Sequence, residues 1–519
     1  MRGACHAVHV PPHSTCQPTP LRLIMTLENS SSGKPDLTRR RFLRNTAATG
    51  AALSYSKMAA RAAGPSDTLN VALVGCGSQG GVLKTSALRI PGLKFVAVCD
   101  LWEVKARSMA RTIGSDVKIY TLLEDMLKAH PEIDCLLIAT PDWLHAPFTR
   151  IGLQAGKQVY CEKMMSNNLD AARDMVRAQR ETGKLLQIGH QRRSNPRYQF
   201  MRNTLLRQKN LLGQITTLYG QWNRSVKPPF EVKGGIPDDV LKAHGYKDMF
   251  EYTNWRWFHK YGGGPISDLG AHQIDIFNWI TGTTPRAMVA SGGLDYYKDR
   301  MLPSGKGKFS YEHLDTAMVV YEYDMPVYDN GVPVMEGDKP KTNLVRALYQ
   351  VLTTNGSQNY YEKVMGVEGT IAISEQPVYN QVYREKDTTS GKIGQWEALA
   401  RAGYIRKPPA TIYNKFWERP VAWHLPEKWM ATEGTQDVRV SIPADPYELP
   451  QMPKEMDEKP PHQFHLENFF NTVRASGKQT DLNCPVSEAY KCAVAVLNIN
   501  KAVETGERIK FAPSDFEVA

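Results

Sequence analysis

The chain has 519 residues, 42% of them hydrophobic and 23% charged, which excludes a disordered or fibrous protein and calls for more than one core. Its net charge is +11, yet residues 1–61 hold nine Lys/Arg against two acids, so most of the excess is N-terminal and no nucleic-acid surface is indicated. No run reaches the roughly eighteen apolar residues of a membrane span.

Taken in order, residues 1–37 are rich in Pro, Ser and Thr without periodicity. Thr38-Arg39-Arg40-Arg41-Phe42-Leu43-Arg44 then resembles a twin-arginine export signal, followed by the mildly apolar stretch Asn45–Tyr55 and the small residues around Ala60–Ala63 that suit a signal peptidase. The expected location is the periplasm or another exported compartment, with Met25 a candidate start.

From Leu69 the pattern alternates. Apolar runs at Asn70–Val74, Phe95–Cys99, Cys135–Ala139, Gln158–Cys161 and Leu185–Ile188 read as buried strands, separated by helical-period segments such as Trp102–Ile113, Leu122–Ala129 and Leu169–Thr182. That alternation predicts an α/β, doubly wound parallel sheet of the Rossmann type ending near Pro196. Cys76, Cys99, Cys135 and Cys161 lie on or beside these runs and read as small core residues; no C-x-x-C pair and no metal constellation is found. Beyond Pro196, Ile215–Gln221, Ala287–Ser291, Thr316–Tyr323, Leu344–Thr353 and Glu362–Val367 predict an α+β domain with an open, largely antiparallel sheet. Two long irregular stretches, Asn223–Tyr261 and Gln376–Lys459, interrupt it, and His462–Ala475 and Ser487–Thr505 read as helices.

The organising stretch is Gly75-Cys76-Gly77-Ser78-Gln79-Gly80, which follows a strand and opens a helix, with Asp100 ending the next strand twenty residues after Gly80. The first glycine permits the turn, the second lets backbone approach a pyrophosphate, and the third packs helix against strand. Asp100 is expected to accept the adenosine ribose hydroxyls and to repel a 2′-phosphate, so NAD is favoured over NADP.

Three further strings carry chemistry: Ala139-Thr140-Pro141-Asp142-Trp143-Leu144-His145, Val159-Tyr160-Cys161-Glu162-Lys163, and Gly262-Gly263-Gly264-Pro265-Ile266-Ser267-Asp268-Leu269-Gly270-Ala271-His272-Gln273-Ile274-Asp275. With the glycine string, in this order from Leu69 to the C-terminus, they resemble the Gfo/Idh/MocA family of oxidoreductases. The resemblance implies that Thr140, Pro141, His145, Glu162 and Lys163 join the glycine string and Asp100 in holding the dinucleotide, and that Lys163, Asp268 and His272 are the catalytic set. One departure stands out: Met164 follows the lysine where family members usually carry proline.

The chemistry of the residues agrees. A lysine at the carboxyl edge of a doubly wound sheet faces the cofactor crevice. An alcohol oxidation needs a base for the hydroxyl proton, and histidine titrates near working pH, so His272 is expected as general acid/base and Lys163 as the group that holds the reacting oxygen. If Asp268–Thr281 is one helix, Asp268 and His272 share a face, and Asp268 either orients the imidazole or binds a substrate hydroxyl. Asp275 is read both as a partner behind the site and as an acidic residue complementing the helix dipole. Gly189–Pro196 matches the family's domain crossover, where an arginine commonly reaches substrate or cofactor; Arg192 and Arg193 are both candidates. Trp255, Trp257 and Tyr261, with Arg256 and His259, offer aromatic faces for a sugar ring, or anchor a long loop.

These readings make the chain an NAD(P)-dependent oxidoreductase acting on a sugar, polyol or related carbohydrate hydroxyl, with a redox-assisted glycosidase or lyase as the alternative. The expected division is an extension over 1–65, a dinucleotide-binding domain over 66–195 and a substrate and oligomerisation domain over 196–519, in a homo-oligomer (dimer or tetramer). An exported enzyme has no free nicotinamide pool, so the cofactor is expected to be retained under the aromatic loop or the arm after Ala63, and to be reoxidised by a second substrate as in glucose-fructose oxidoreductase.

Overall fold

The structure, a computed structural model, describes residues 68–226, 229–232, 234–385, 390–407 and 445–519. The twin-arginine string, the small-residue exit and the arm after Ala63 lie outside the described residues.

The first six strands are Leu69–Val74 (β1), Leu93–Cys99 (β2), Lys118–Tyr120 (β3), Cys135–Ile138 (β4), Gln158–Cys161 (β5) and Leu186–Ile188 (β6). They form one parallel sheet in the order β3-β2-β1-β4-β5-β6. Its central residues, Val71 to Val74 and Cys135 to Ile138, are buried, which explains the unbroken apolar runs: with helices on both faces, a parallel strand has no solvent side. The strand order reverses between β1 and β4, and a crevice opens there at the carboxyl ends. Register places Val74 beside Cys99 on one side and Ile138 on the other, so Gly75, Asp100 and Ala139 leave the sheet at one level. Helix Leu169–Thr182, on the covering layer, starts where the Asn168 side chain accepts the Ala171 amide and ends at left-handed Gly183.

The second sheet has nine strands. Thr316–Pro326 runs antiparallel to Thr342–Leu352 over its full length and to Ala287–Gly293 on its other edge. Ile215–Asn223 pairs antiparallel with Tyr360–Gly366 but parallel with Thr342–Leu352, so the expected antiparallel sheet contains one parallel pair. Alternation along Thr316–Pro326 buries Ala317, Val319, Tyr321 and Tyr323 on one face. Helices Ala271–Thr281 and Val486–Thr505 cover that face, and Phe277 packs so closely that a Cβ on Gly220 would stand 2.9 Å from its ring. Nearly every side chain of Ala271–Thr281 is buried, including His272 and Asp275, so this helix carries polar groups into the interior.

One expectation changes. The predicted helix over 268–281 is a π-helical turn, Ile266–Gly270, followed by an α-helix from Ala271; Gly270 supplies the room, since a Cβ there would lie 2.8 Å from the Tyr349 ring. Packing also crosses the division expected at residue 195. Helix Pro461–Arg474 returns to the first sheet, where Leu466, Phe469 and Phe470 join Val71, Leu73 and Tyr160 in one core. No helix among the described residues is long and apolar enough to cross a membrane.

Candidate active site

A cavity of about 760 Å³ occupies the crevice, within the size range of small-molecule sites. One wall is the turn after β1. Gly75 has φ +93°, and a Cβ on it would lie 2.5 Å from the Ala139 carbonyl; a Cβ on Gly80 would lie 2.0 Å from the Gly75 carbonyl. Neither position tolerates a side chain, so the turn can bring the backbone of Gly75, Gly77, Ser78 and Gln79 to the cavity at the N-terminus of helix Ser78–Ala87. Gly80 stays behind the wall as the packing glycine.

Asp100 lines the same cavity. Its Oδ2 accepts the Cys76 amide at 2.8 Å, while Oδ1 accepts the Trp102 amide and the Tyr252 hydroxyl, both at 2.9 Å. A ribose hydroxyl would therefore meet a carboxylate already fixed in place, and would share or replace the Tyr252 contact. Lys105 also faces this end, its Nζ 5.1 Å from the ring centroids of Trp102 and Tyr252. Phe230, His244, Tyr246, Tyr252 and Trp255, from the long stretch between Asn223 and Tyr261, form the opposite wall. The two close-packed glycines, the helix N-terminus and the ribose-level carboxylate suit a dinucleotide.

At the inner end, Lys163 leaves the edge of β5 and its Nζ donates to the Asp268 carbonyl at 2.5 Å and to Asp268 Oδ1 at 3.3 Å. The Lys163–Met164 peptide is cis. Arg256 Nε donates to Asp268 Oδ2 at 3.3 Å, its guanidinium lying over the Trp255 ring. Burial alone would raise the Asp268 carboxyl, but Lys163, Arg256 and Arg224 hold it far below the usual carboxylate range. Asp142, which the sequence reading passed over although it lies inside the Ala139–His145 string, is a second buried carboxyl here. Its Oδ2 accepts the Gly263 amide at 3.3 Å, and burial pushes it up against the opposing pull of His145, Lys163 and Arg256.

His272 is 7% exposed, is not among the residues lining the cavity and makes no hydrogen bond to Asp268; its imidazole packs on Trp222, ring centroids 5.3 Å apart, and Nδ1 has no hydrogen-bond partner among the described residues. Burial, reinforced by Lys163, Arg192 and His190, keeps it well below its ordinary value, so it is neutral at neutral pH. Asp268, expected either to orient this ring or to bind a substrate hydroxyl, pairs with Lys163 and Arg256. Trp222 is the side chain packed against the ring, with Tyr360 tilted against Trp222 at a centroid separation of 4.4 Å. No sequence pattern announced Trp222, which reaches His272 across 50 positions.

The arginine question resolves by pairing. Arg193 forks onto Asp275 through Nε and Nη2 at 2.8–3.1 Å and also reaches Glu488, so Arg193 and Asp275 neutralise each other in the core and neither is free for substrate. Arg192 binds Glu362 and Glu375 but leaves Nη2 without a partner. The same pairing bears on the buried group His190, Asp275 and Cys484, whose ligand atoms lie within 4.8 Å of one another: a cation there would meet the Arg193 guanidinium. Tyr261 is fully buried against Tyr246 and Trp143, and its hydroxyl is held by Gly245 and Glu251. Trp257 stacks on Tyr311 at 3.6 Å. Both therefore anchor the loop, and only Trp255 of the three aromatic candidates faces the cavity. Thr140, Pro141, His145 and Glu162 line it as well.

Residues 69–190 match the family described as "Oxidoreductase family, NAD-binding Rossmann fold", and residues 208–328 match the GFO/IDH/MocA C-terminal domain. Among curated relatives, inositol 2-dehydrogenase of Rubrobacter xylanophilus is 29% identical over 197 residues, covering 38% of this chain and 53% of the relative. Inositol 2-dehydrogenase 2 of Saccharopolyspora erythraea is 27% identical over 220 residues, covering 41% and 54%. The chain thus spans about half the length of the curated relatives it matches. Among solved structures, levoglucosan dehydrogenase in complex with NADH and L-sorbose superposes with a TM-score of 0.59 at 16% identity, over 86% of this chain and 99% of that one. At that identity the likeness speaks for the fold.

Proposed function

We propose that this chain, whose residues 69–190 and 208–328 match the two Gfo/Idh/MocA family models, is an NAD-dependent dehydrogenase acting on a hydroxyl of a sugar or polyol. The observation that carries this is the Lys163–Asp268 pair at the inner end of a dinucleotide-shaped crevice, one partner from each sheet system. Deeper in, on residues outside the cavity lining, His272 Nδ1, both ring nitrogens of His190, Arg192 Nη2 and the Tyr349 hydroxyl have no hydrogen-bond partners among the described residues. Unpaired buried polar atoms are costly, and a ligand with several hydroxyl groups is the kind of partner that would satisfy them.

Gly75, Gly77, Ser78, Gln79 and Asp100 would hold the adenosine and pyrophosphate, and Thr140, Pro141, Glu162 and Lys163 the inner half. Bound there, NAD supplies the hydride acceptor. Lys163, charged and fixed by Asp268, donates to the substrate oxygen and stabilises negative charge developing on it. His272, held neutral by burial, accepts the hydroxyl proton. The aromatic loop excludes water from the crevice. Inositol dehydrogenases among the relatives support a cyclic polyol or sugar as the substrate class. The test is a panel of inositols, hexoses and 1,6-anhydrosugars with NAD, monitored at the reduced nicotinamide absorbance and by product chromatography. Reduction of NAD with a keto product supports the reading; cleavage of glycosides without net NADH points to the redox-assisted glycosidase, and silence across the panel refutes both.

We also propose that the protein is exported by the twin-arginine route, on the strength of Arg39-Arg40 and the small-residue exit, and that it retains its dinucleotide under the Phe230–Trp255 loop. Cell fractionation tests the first, and nicotinamide fluorescence after exhaustive dialysis the second. A homo-oligomer is supported by Val289 and Met318, 43% and 46% exposed on the outer face of the nine-stranded sheet, and light scattering decides it.

A further inference from the structure

We infer that His145 is held as an imidazolium whose two ring N–H groups staple the Thr140 carbonyl to the Met164 carbonyl, and that it thereby positions Lys163. Nδ1 lies 2.6 Å from the Met164 oxygen and Nε2 lies 2.8 Å from the Thr140 oxygen. A carbonyl oxygen cannot donate, so each contact is a hydrogen bond only if the ring nitrogen carries the proton. A neutral ring would press one bare lone pair against an oxygen at that distance. Flipping the ring does not relieve the conflict, because it would place ring carbons at 2.6–2.8 Å, where C–H contacts to oxygen settle at roughly 3.3–3.6 Å. The geometry therefore admits the doubly protonated ring.

The side chain is 1% exposed, so the charge has to be met by its surroundings. Asp142, three residues earlier on the same helix, faces it, as does Cys161 at the end of β5. Lys163, Asp268 and Arg256 face Asp142 in turn. Burial by itself would lower the imidazole; Cys161, Asp142 and the Met164 carbonyl more than reverse this, leaving it near about 9.

The consequence lies in what the two carbonyls belong to. Thr140 is in the turn after β4 and Met164 in the turn after β5, and these turns line the inner half of the cavity. Lys163 immediately precedes one clamped residue, so its reach to Asp268 is set by where the staple holds the turn. His145 is a positioning residue: its nitrogens are used by backbone carbonyls, with none left for substrate. This role rests on the function proposed above only for its activity readout.

The experiment is NMR of the full chain, folded with NAD and labelled with ¹⁵N-histidine, the His145 ring being assigned by its absence in His145→Gln. Expected at pH 7.5 is a ring with both nitrogens protonated, losing a proton near pH 9; a neutral ring at pH 7.5 overturns the inference. The activity readout is the pH profile of kcat with the substrate found by the panel. Wild type should lose kcat on an alkaline limb near pH 9, and His145→Gln, whose two N–H donors sit on one nitrogen and so cannot reproduce the span between Nδ1 and Nε2, should lower kcat about tenfold with KM for NAD little changed and without that limb. An unaltered profile in the variant refutes the positioning role. If His145→Gln fails to fold, the wild-type ring signals, assigned instead by selective broadening, still decide the charge state. A doubly protonated ring in a protein that oxidises nothing in the panel would sink the proposed function and leave the staple standing.

Discussion

Asp100→Ala is the perturbation whose size can be worked from the geometry. The carboxylate accepts three hydrogen bonds, from Cys76 and Trp102 amides at 2.8 and 2.9 Å and from Tyr252 at 2.9 Å. Trp102 and Tyr252 lie where solvent can replace the lost acceptor, whereas the Cys76 amide is buried; leaving it unpaired should cost about 1–3 kcal/mol of stability, a drop of a few degrees in Tm. Binding changes more specifically. A hydrogen bond from a ribose hydroxyl to a charged acceptor contributes about 1.5–3 kcal/mol, so NAD should bind roughly 10- to 100-fold more weakly. NADP should move the other way, since its 2′-phosphate would no longer meet a carboxylate and Lys105 lines the same end of the cavity. The NAD-to-NADP preference should therefore fall by about two orders of magnitude or more. The assay is fluorescence titration of cofactor-free protein with each dinucleotide, with Asp100→Asn as companion to separate charge from shape. Tighter NADP binding by wild type, or an unchanged ratio in both variants, would refute the reasoning.

Lys163→Ala and His272→Ala should each lower kcat by about 10²- to 10³-fold while NAD affinity and the circular dichroism spectrum stay near wild type; retained turnover in both would remove them from the chemistry. Gly80→Ala forces a Cβ to within 2.0 Å of the Gly75 carbonyl, so the turn must shift, and calorimetry should record at least tenfold weaker NAD binding with stability lower by about 1–3 kcal/mol. The six described cysteines are all buried, and burial pushes the Cys76, Cys99 and Cys135 thiols up, so native protein should resist iodoacetamide at pH 8 at these positions; rapid labelling there by mass spectrometry would contradict the packing. His145 is raised in the folded state from 6.5 to about 9, so its contribution is fully present below about pH 6.5 and lost as pH rises through about 9. The unfolding free energies of wild type and His145→Gln should converge by about 2.4 kcal/mol between pH 7 and 9.5, and parallel curves would count against a charged ring.

What could be read along the chain was whatever is local. Strand, glycine turn and helix are fixed by hydrogen bonds and side-chain periods spanning a few residues, so the parallel sheet, the Gly75–Gly80 turn and the level of Asp100 were legible, as were the terminal helices near 462–475 and 487–505. The four strings located the site because each sits at a strand end or helix start, where backbone geometry alone aims residues at the crevice. What only the tertiary structure decided were the partnerships. Arg193 and Asp275 are 82 positions apart, Tyr252 and Asp100 152 apart, Lys163 and Asp268 105 apart. Nothing in local pattern distinguishes an arginine that binds substrate from one whose charge is cancelled in the core, or a tyrosine that stacks on a sugar from Tyr261, sealed among other rings. The π-helical turn at Ile266–Gly270 belongs to the same class. Its sequence reads as helix, and the packing of Tyr349 against Gly270 from a strand some eighty residues away accompanies the wider turn. Burial and long-range charge pairing depend on which surfaces meet, and the sheets determine that only once both have formed.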